Sequence, residues 1–353
     1  MRGAYVTLVF NTDMSTILEA YRLRTLVAVE KFLSFQSPYK IYGMMRYFMG
    51  FADEDLQPAH IYGGKHFRSA LCLLIADLYG DGAAALPVAV SVELFHNFTL
   101  IHDDIVDKDT LRRGRPTVWK IWGIPHALNT GDGQLLLVYR ALAEAIAQHP
   151  DRGLRTHQFL TERYLEIIEG QYLDFTLTDL LLEDREVTSE AYFTMIRKKT
   201  AVLVGAAAQA GGMIAGATEE ECVHLYAYGL ALGLAVQLND DYMSIWGDVV
   251  RTGKDAQGDI RERKKTLPVL YARDTLGASG KKRLHELYAS GTVMTESEVS
   301  EVMALLAASG AKEYVEASLA TYVEEALRAS EMLSCSSAGK MQLQELFSEC
   351  LPW

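Results

Sequence analysis

Phe95-His96-Asn97-Phe98-Thr99-Leu100-Ile101-His102-Asp103-Asp104-Ile105-Val106-Asp107 is a run of mostly apolar residues at helical spacing that closes on three acids. Carboxylates at i and i+4 share one helix face, and a like-charge pair there is unfavourable by roughly 0.2–0.5 kcal/mol even in water. Burial makes that cost much larger. The same pattern returns downstream, where Leu232-Gly233-Leu234-Ala235-Val236-Gln237-Leu238 precedes Asp240-Asp241-Tyr242-Met243-Ser244. Neither flank reads as a water-facing stripe, so a cation is expected against each cluster. Hard divalent cations take oxygen ligands, and magnesium completes its shell with water and substrate phosphates instead of an all-protein cage. Two acidic clusters without a His/Cys set beside them therefore point to magnesium and diphosphate.

Working outward, nearly every long segment carries 3.6-residue periodicity with strong helix formers, and strand-type runs are scarce. The fold class expected is all-α. Helices are predicted over roughly 14–36, 38–51, 64–80, 85–109, 117–149, 153–182, 187–216, 218–248, 260–275, 280–290, 295–308, 310–333 and 337–349. Gly63-Gly64, Gly80-Asp81-Gly82 and Gly114-Arg115-Pro116 punctuate them. No Pro/Ser-rich linker divides the 353 residues, so one domain is expected over 1–353, with a motif-bearing core at 60–270 and peripheral helices at 277–353.

A net charge of -12 argues against a nucleic-acid or anionic-membrane binder, so any anion must be held by a local basic group. Cys72, Cys222, Cys335 and Cys350 are scattered without CxxC pairing, which favours a reducing compartment. The first residues make a poor signal peptide, and Ala201–Ala217, with Gln209 and four glycines, falls short of a membrane span. A soluble, cytoplasmic protein is expected, with no stable membrane insertion.

Three basic groups supply the missing cations. Gly63-Gly64-Lys65-His66-Phe67-Arg68 leads into a helix, where free N–H groups favour anions. Arg112-Arg113-Gly114-Arg115-Pro116 follows the first acidic run, and Lys254, Arg261, Arg263, Lys264 and Lys265 follow the second. Acid helix followed by basic loop, twice, is the arrangement that metal plus phosphate would need.

Together these stretches resemble the trans-isoprenyl diphosphate synthases. The resemblance spans roughly residues 60 to 270 and rests on GGKxxR at Gly63–Arg68, LIHDDIVDKDTLRRGRPT from Leu100 and QLNDDYMSIWGD from Gln237. Gly170-Gln171-Tyr172-Leu173-Asp174, Lys199-Thr200 and GDIRERKKTLP from Gly258 add to it. It implies a bundle of antiparallel helices around a cavity, a homodimer, and head-to-tail condensation of isopentenyl diphosphate with an allylic diphosphate. By the same resemblance, the two Asp motifs face each other across the cavity mouth. Asp103, Asp104, Asp107 and Asp240 hold three magnesium ions, with Asp241 in support. Arg112, Lys199, Lys254 and Lys264 grip the allylic diphosphate, with Thr200 and Gln237 nearby. Lys65, Arg68, His96 and Arg113 take isopentenyl diphosphate, and His102 is read as a packing residue.

Three departures stand out. Ser69 replaces the Pro that closes the first motif, Arg263 takes the Gly position before Lys264, and Ser244 stands where the second motif often has its third Asp. Asp240, Ser244 and Asp248 fall at i, i+4 and i+8, a pattern that resembles class I terpene cyclases. The resemblance to the synthases implies a product channel beside the first acidic helix, with Phe95 and Phe98, and small Thr99 beside them, as its expected floor, favouring a twenty-carbon product over farnesyl. A cyclase and a non-catalytic partner subunit are the competing readings; retained Lys65, Arg68, His96 and Arg113 count against the first and a whole first motif against the second.

Overall fold

The computed structural model describes residues 16–34, 37–247, 257–289 and 294–350, so Lys254 and Asp248 lie outside the described residues. The architecture is all-α apart from one two-stranded hairpin. The chain clusters into two compact units, one of residues 1–161, 207–222 and 334–349 and the other of 162–206, 223–333 and 350–353.

In the first unit α1 (Thr16–Leu33), α3 (Phe67–Leu78), α5 (Val118–Trp122) and α6 (Ile124–Gln148) pack against α4 (Leu86–Val106), and α2 (Ile41–Phe48) packs on α6 and α1. Helix α4 has Val88, Val92, Leu94 and Phe95 fully buried, as expected of a helix apolar on nearly every side. Among its partly open positions are His96, Thr99, Leu100 and Asp103, and Asp107 beyond its end is exposed. Spacings of three and four place these on one strip, so the acids and His96 look onto the same side of α4. After α4 the chain forms β1 (Leu111–Arg112) and β2 (Arg115–Pro116), paired antiparallel. Arg113 (φ 53°) and Gly114 (φ 76°) make the two-residue turn, both at positive φ, as a tight hairpin matched to strand twist requires.

Helix α7 (Pro150–Asp179) is followed by α8 (Ser189–Ile196), a π-helical turn at Arg197–Ala201, α9 (Val202–Ala215) and α10 (Glu219–Trp246). The second unit ends in α11 (Gly258–Arg261), α12 (Leu267–Thr275), α13 (Ala278–Ala289), α14 (Glu296–Ser309) and α15 (Ala311–Glu331), with α12 packed against α8, α13, α14 and α15. Thr295 and Glu298 close a capping box at the start of α14, satisfying two N–H groups that the helix leaves free. The last helix, α16 (Ser337–Cys350), belongs to the first unit up to Glu349. Helix α10 is long and apolar enough to cross a membrane, and 56% of that window is buried inside the fold.

Four predicted helices are corrected. The span 117–149 breaks at Gly123 (φ 86°), and 64–80 begins only at Phe67 because His66 adopts φ 49°. The span 260–275 is divided by a turn through Arg263 (φ 54°), with Pro268 opening the next helix. The span 187–216 is interrupted by the π turn, which alternating apolar residues cannot reveal because it adds a single residue per turn.

Candidate active site

The hairpin separates the two arginines that are adjacent in sequence. Arg112 Nε donates to Asp104 Oδ1 at 2.5 Å and its Nη2 lies 3.6 Å from Asp109. Arg113 turns the other way and donates to Asn97 Oδ1 at 3.1 Å, its guanidinium lying over the Phe48 ring. Arg115 serves the fold: it donates to the carbonyls of Tyr47 and Ala52 and stacks on Tyr47. Gly63 and Gly64 run along Arg113; a Cβ on Gly63 would stand 2.9 Å from that side chain. Lys65 is exposed in this turn, at the entrance to α3.

Arg68 Nη1 lies 3.3 Å from His96 Nε2. A guanidinium only donates, so this nitrogen accepts and the ring is neutral. Burial and then the Arg68 charge hold His96 well below the ordinary histidine range. Beneath it, Glu93 is buried and accepts from His66 Nδ1 (2.8 Å), Ser69 Oγ (2.6 Å) and Asn97 Nδ2 (2.7 Å). Burial alone would raise the Glu93 carboxyl, but the His66 charge and hydrogen bond outweigh it and hold it well below the carboxylate range. Glu93, His66 and Asn97 were not singled out in the sequence; the available signal was one acid inside an otherwise apolar helix. His102 packs as expected, with Nε2 3.3 Å from the Leu128 carbonyl oxygen and its ring on Phe98 at 5.0 Å. Phe95 and Phe98 are buried with ring centroids 5.6 Å apart, and Thr99 donates to the His96 carbonyl.

In the second unit the π turn presents Lys199 and Thr200. Lys199 Nζ reaches Asp174 of α7 at 2.5 Å, and Thr200 Oγ1 donates to Gln237 Oε1 at 2.7 Å. Gln237 Nε2 in turn donates to Asp241 Oδ1 at 2.8 Å, while buried Tyr192 donates to Oδ2 at 2.5 Å. Burial, with the charge of Asp259 next, pushes Asp241 up to about 7, against those two hydrogen bonds. Tyr192 went unnoticed in the sequence, where it reads as core. Lys264 pairs with Asp259 (3.1 Å) and Glu262 (2.9 Å); burial would lower its ammonium, but Asp259 and Glu262 hold it above the ordinary lysine range. Lys265 donates to the Thr178 carbonyl, and Ser244 Oγ is buried without a hydrogen-bond partner.

The donor set suits magnesium. Asp104 Oδ2 is a buried carboxylate oxygen without a hydrogen-bond partner, and burial, opposed by Arg112, pushes its carboxyl up to about 6. Among the described residues no three acid, His or Cys side chains converge into a metal cage, as suits an ion that shares its shell with phosphate and water.

The all-α fold, with acid-tipped helices and basic residues beside them, is that of a prenyltransferase of the isoprenyl diphosphate synthase class. The chain belongs to the polyprenyl synthetase family, whose model matches residues 56–306. It is 35% identical over 307 residues to a (2E,6E)-farnesyl diphosphate synthase of Mycobacterium tuberculosis, spanning 86% of this chain and 83% of that one. It is 36% identical over 307 residues to a geranylgeranyl diphosphate synthase of the same organism, spanning 83% and 84%. A crystal structure of a geranylgeranyl pyrophosphate synthase, 34% identical, matches with a TM-score of 0.85 over 96% of this chain and 99% of that one. The protein is therefore an enzyme that makes short-chain trans-prenyl diphosphates, in a family that works with a divalent metal.

Proposed function

We propose that the protein condenses isopentenyl diphosphate with an allylic diphosphate and stops at geranylgeranyl diphosphate. The observation that carries this reading is the divided arginine pair: Arg112 at Asp104 and Arg113 at Asn97 give the first unit two anion subsites, as two diphosphate substrates require. In this reading Arg112, Lys199, Lys254 and Lys264 hold the allylic diphosphate with Thr200 and Gln237, and Lys65, Arg68, His96 and Arg113 hold isopentenyl diphosphate. Asp103, Asp104, Asp107 and Asp240 hold three magnesium ions, and Asp241 supports them. Bound magnesium would neutralise the diphosphate oxygens as charge develops on them.

Ionisation breaks the allylic C–O bond, and its electron pair leaves with the diphosphate, whose growing charge cationic side chains would stabilise. The isopentenyl double bond supplies the electrons of the new C–C bond, and the released diphosphate takes the proton whose loss restores an alkene. Phe95 and Phe98, their ring planes tilted by 58° across one turn of α4, form the floor that ends growth. The enzyme works as a cytoplasmic homodimer.

Purified protein given magnesium, isopentenyl diphosphate and each allylic primer tests this directly, with phosphatase-freed alcohols and released hydrocarbons both analysed. Linear twenty-carbon alcohols, formed only with isopentenyl diphosphate, are expected. Cyclic hydrocarbons from an allylic diphosphate alone would instead favour the cyclase reading that Ser244 raises.

A further inference from the structure

We propose that Glu93 is a positioning residue that sets both walls of the isopentenyl diphosphate subsite, acting through Asn97 on Arg113 and through His66 on the Gly63-Gly64 turn. The inference rests on the reading that Arg113, Lys65 and Arg68 hold that diphosphate.

Glu93 is 1% exposed and touches no solvent-facing charge directly, so it cannot bind substrate itself. Its two oxygens accept from three side chains that come from different places: His66 at the cap of α3, Ser69 in the first turn of α3, and Asn97 one turn further along α4. Each contact fixes something the subsite needs. An amide held at Nδ2 by a carboxylate, and also donating to the Glu93 carbonyl at 2.8 Å, can only present its oxygen outward. That oxygen is the acceptor of Arg113 Nη2. Without Glu93 the amide could rotate and confront the guanidinium with its own N–H groups.

The second arm runs through His66. Nδ1 faces Glu93 and Nε2 lies 3.0 Å from the Gly63 carbonyl oxygen. Both partners are acceptors, so the ring links the carboxylate to the turn through its two nitrogens. Its hydrogen bond to Gly63 pins the turn whose glycine backbone lies against Arg113, where a Cβ would collide with that side chain. Turn and arginine are thus referred to one buried carboxylate. Ser69, the departure from the family's Pro, adds a donor that Pro lacks, bonding both Glu93 and the His66 carbonyl.

The test is steady-state kinetics with separate KM values for isopentenyl and allylic diphosphates, alongside thermal unfolding, for Glu93→Gln, Asn97→Ala, Arg113→Ala and the double variant Glu93→Gln/Arg113→Ala. Asn97→Ala leaves the Glu93–His66 pair intact, so it carries the test should Glu93→Gln fold poorly. Hydrogen bonds to charged groups are worth enough for a rise in KM for isopentenyl diphosphate of about tenfold or more in each single variant. KM for the allylic substrate should stay within about twofold, and Glu93→Gln should add little once Arg113 is gone, because residues that act through one another are not additive. Equal shifts in both KM values, or a lower melting temperature with KM unchanged, would overturn the positioning role while leaving the subsite standing. An Arg113→Ala variant with unchanged KM for isopentenyl diphosphate would remove the subsite reading itself, and this inference with it.

Discussion

Phe98 and His96 lie two positions apart on α4, yet one is enclosed against Phe95 and His102 while the other looks onto the partly open strip that carries Asp103. If Phe98 is the floor of the product channel, Phe98→Ala should lengthen the prenyl chains recovered after phosphatase treatment, at little cost in turnover. Unchanged products would remove the assignment. His96 makes a different prediction, about pH. Its folded-state pKa is depressed by burial and by Arg68, with Arg113 and His66 adding to that and only Glu93 opposing. Below its unfolded value of roughly 6.5 the unfolded chain binds the proton that the folded chain refuses, so stability is full above that pH and falls as the solution is acidified through it. Glu93, also depressed, adds its own loss only below about 4.5. Asp104 and Asp241, raised to about 6 and about 7, slope the other way, gaining stability as pH falls, so the His96 part is read from urea melts of wild type and His96→Gln compared from pH 8 to 5: the stability difference between them should shrink below about 6.5, and parallel profiles would contradict the assignment. The sequence could name both residues because their places relative to the acids are short-range. It could not name Glu93 or Tyr192, whose importance lies in what comes to meet them from distant parts of the chain.

At the level of elements, the decisive feature is the π turn at Arg197–Ala201, which rotates Lys199 toward Asp174 and sets Thr200 on Gln237. It is held there by close approach: a Cβ on Gly170 would stand 2.3 Å from the Lys199 backbone nitrogen, and Asp174 follows one turn later on the same helix face. Backbone cannot yield as a flexible side chain can, so Gly170→Ala should force the two helices apart. A loss of roughly 1–3 kcal/mol in stability is expected, as for other overpacked contacts. Thermal unfolding would measure it, and KM for the allylic diphosphate should rise with it if Lys199 holds that substrate. A variant with wild-type stability would mean that this helix contact is looser than it stands. The all-α class and most helix cores were legible because apolar spacing carries them. The breaks at His66, Gly123 and Arg263 were not, since a single residue at positive φ ends a helix without disturbing the apolar pattern on either side. The hairpin was hidden for a related reason: two strands of two residues each are too short to show alternation, though Arg113-Gly114 carried its turn signal.

For the molecule as a whole the open question is what covers the apolar surface that one copy leaves bare. On α7 Leu165, Ile168 and Tyr172 are 60%, 44% and 68% exposed, at spacings of three and four that align them on one face. On α6 Ile124, Leu128 and Leu136 are likewise exposed at helical spacing. Isolated exposed apolar residues need no explanation, but aligned ones on long helices mark surfaces made for association. A second copy is the occupant that the homodimer reading supplies, since burying each such side chain contributes about 1.5–3 kcal/mol. The net charge of -12 works against two copies meeting, and salt screens that repulsion, so dimerisation should strengthen as ionic strength rises. Light scattering coupled to size exclusion should therefore give twice the chain mass at micromolar concentration. Leu165→Asp combined with Ile168→Glu should give a monomer of unchanged helical content. Should the double variant still run as a dimer, the α7 face is not the contact; should the wild type run as a monomer at high salt, the exposed helices face something other than a second copy.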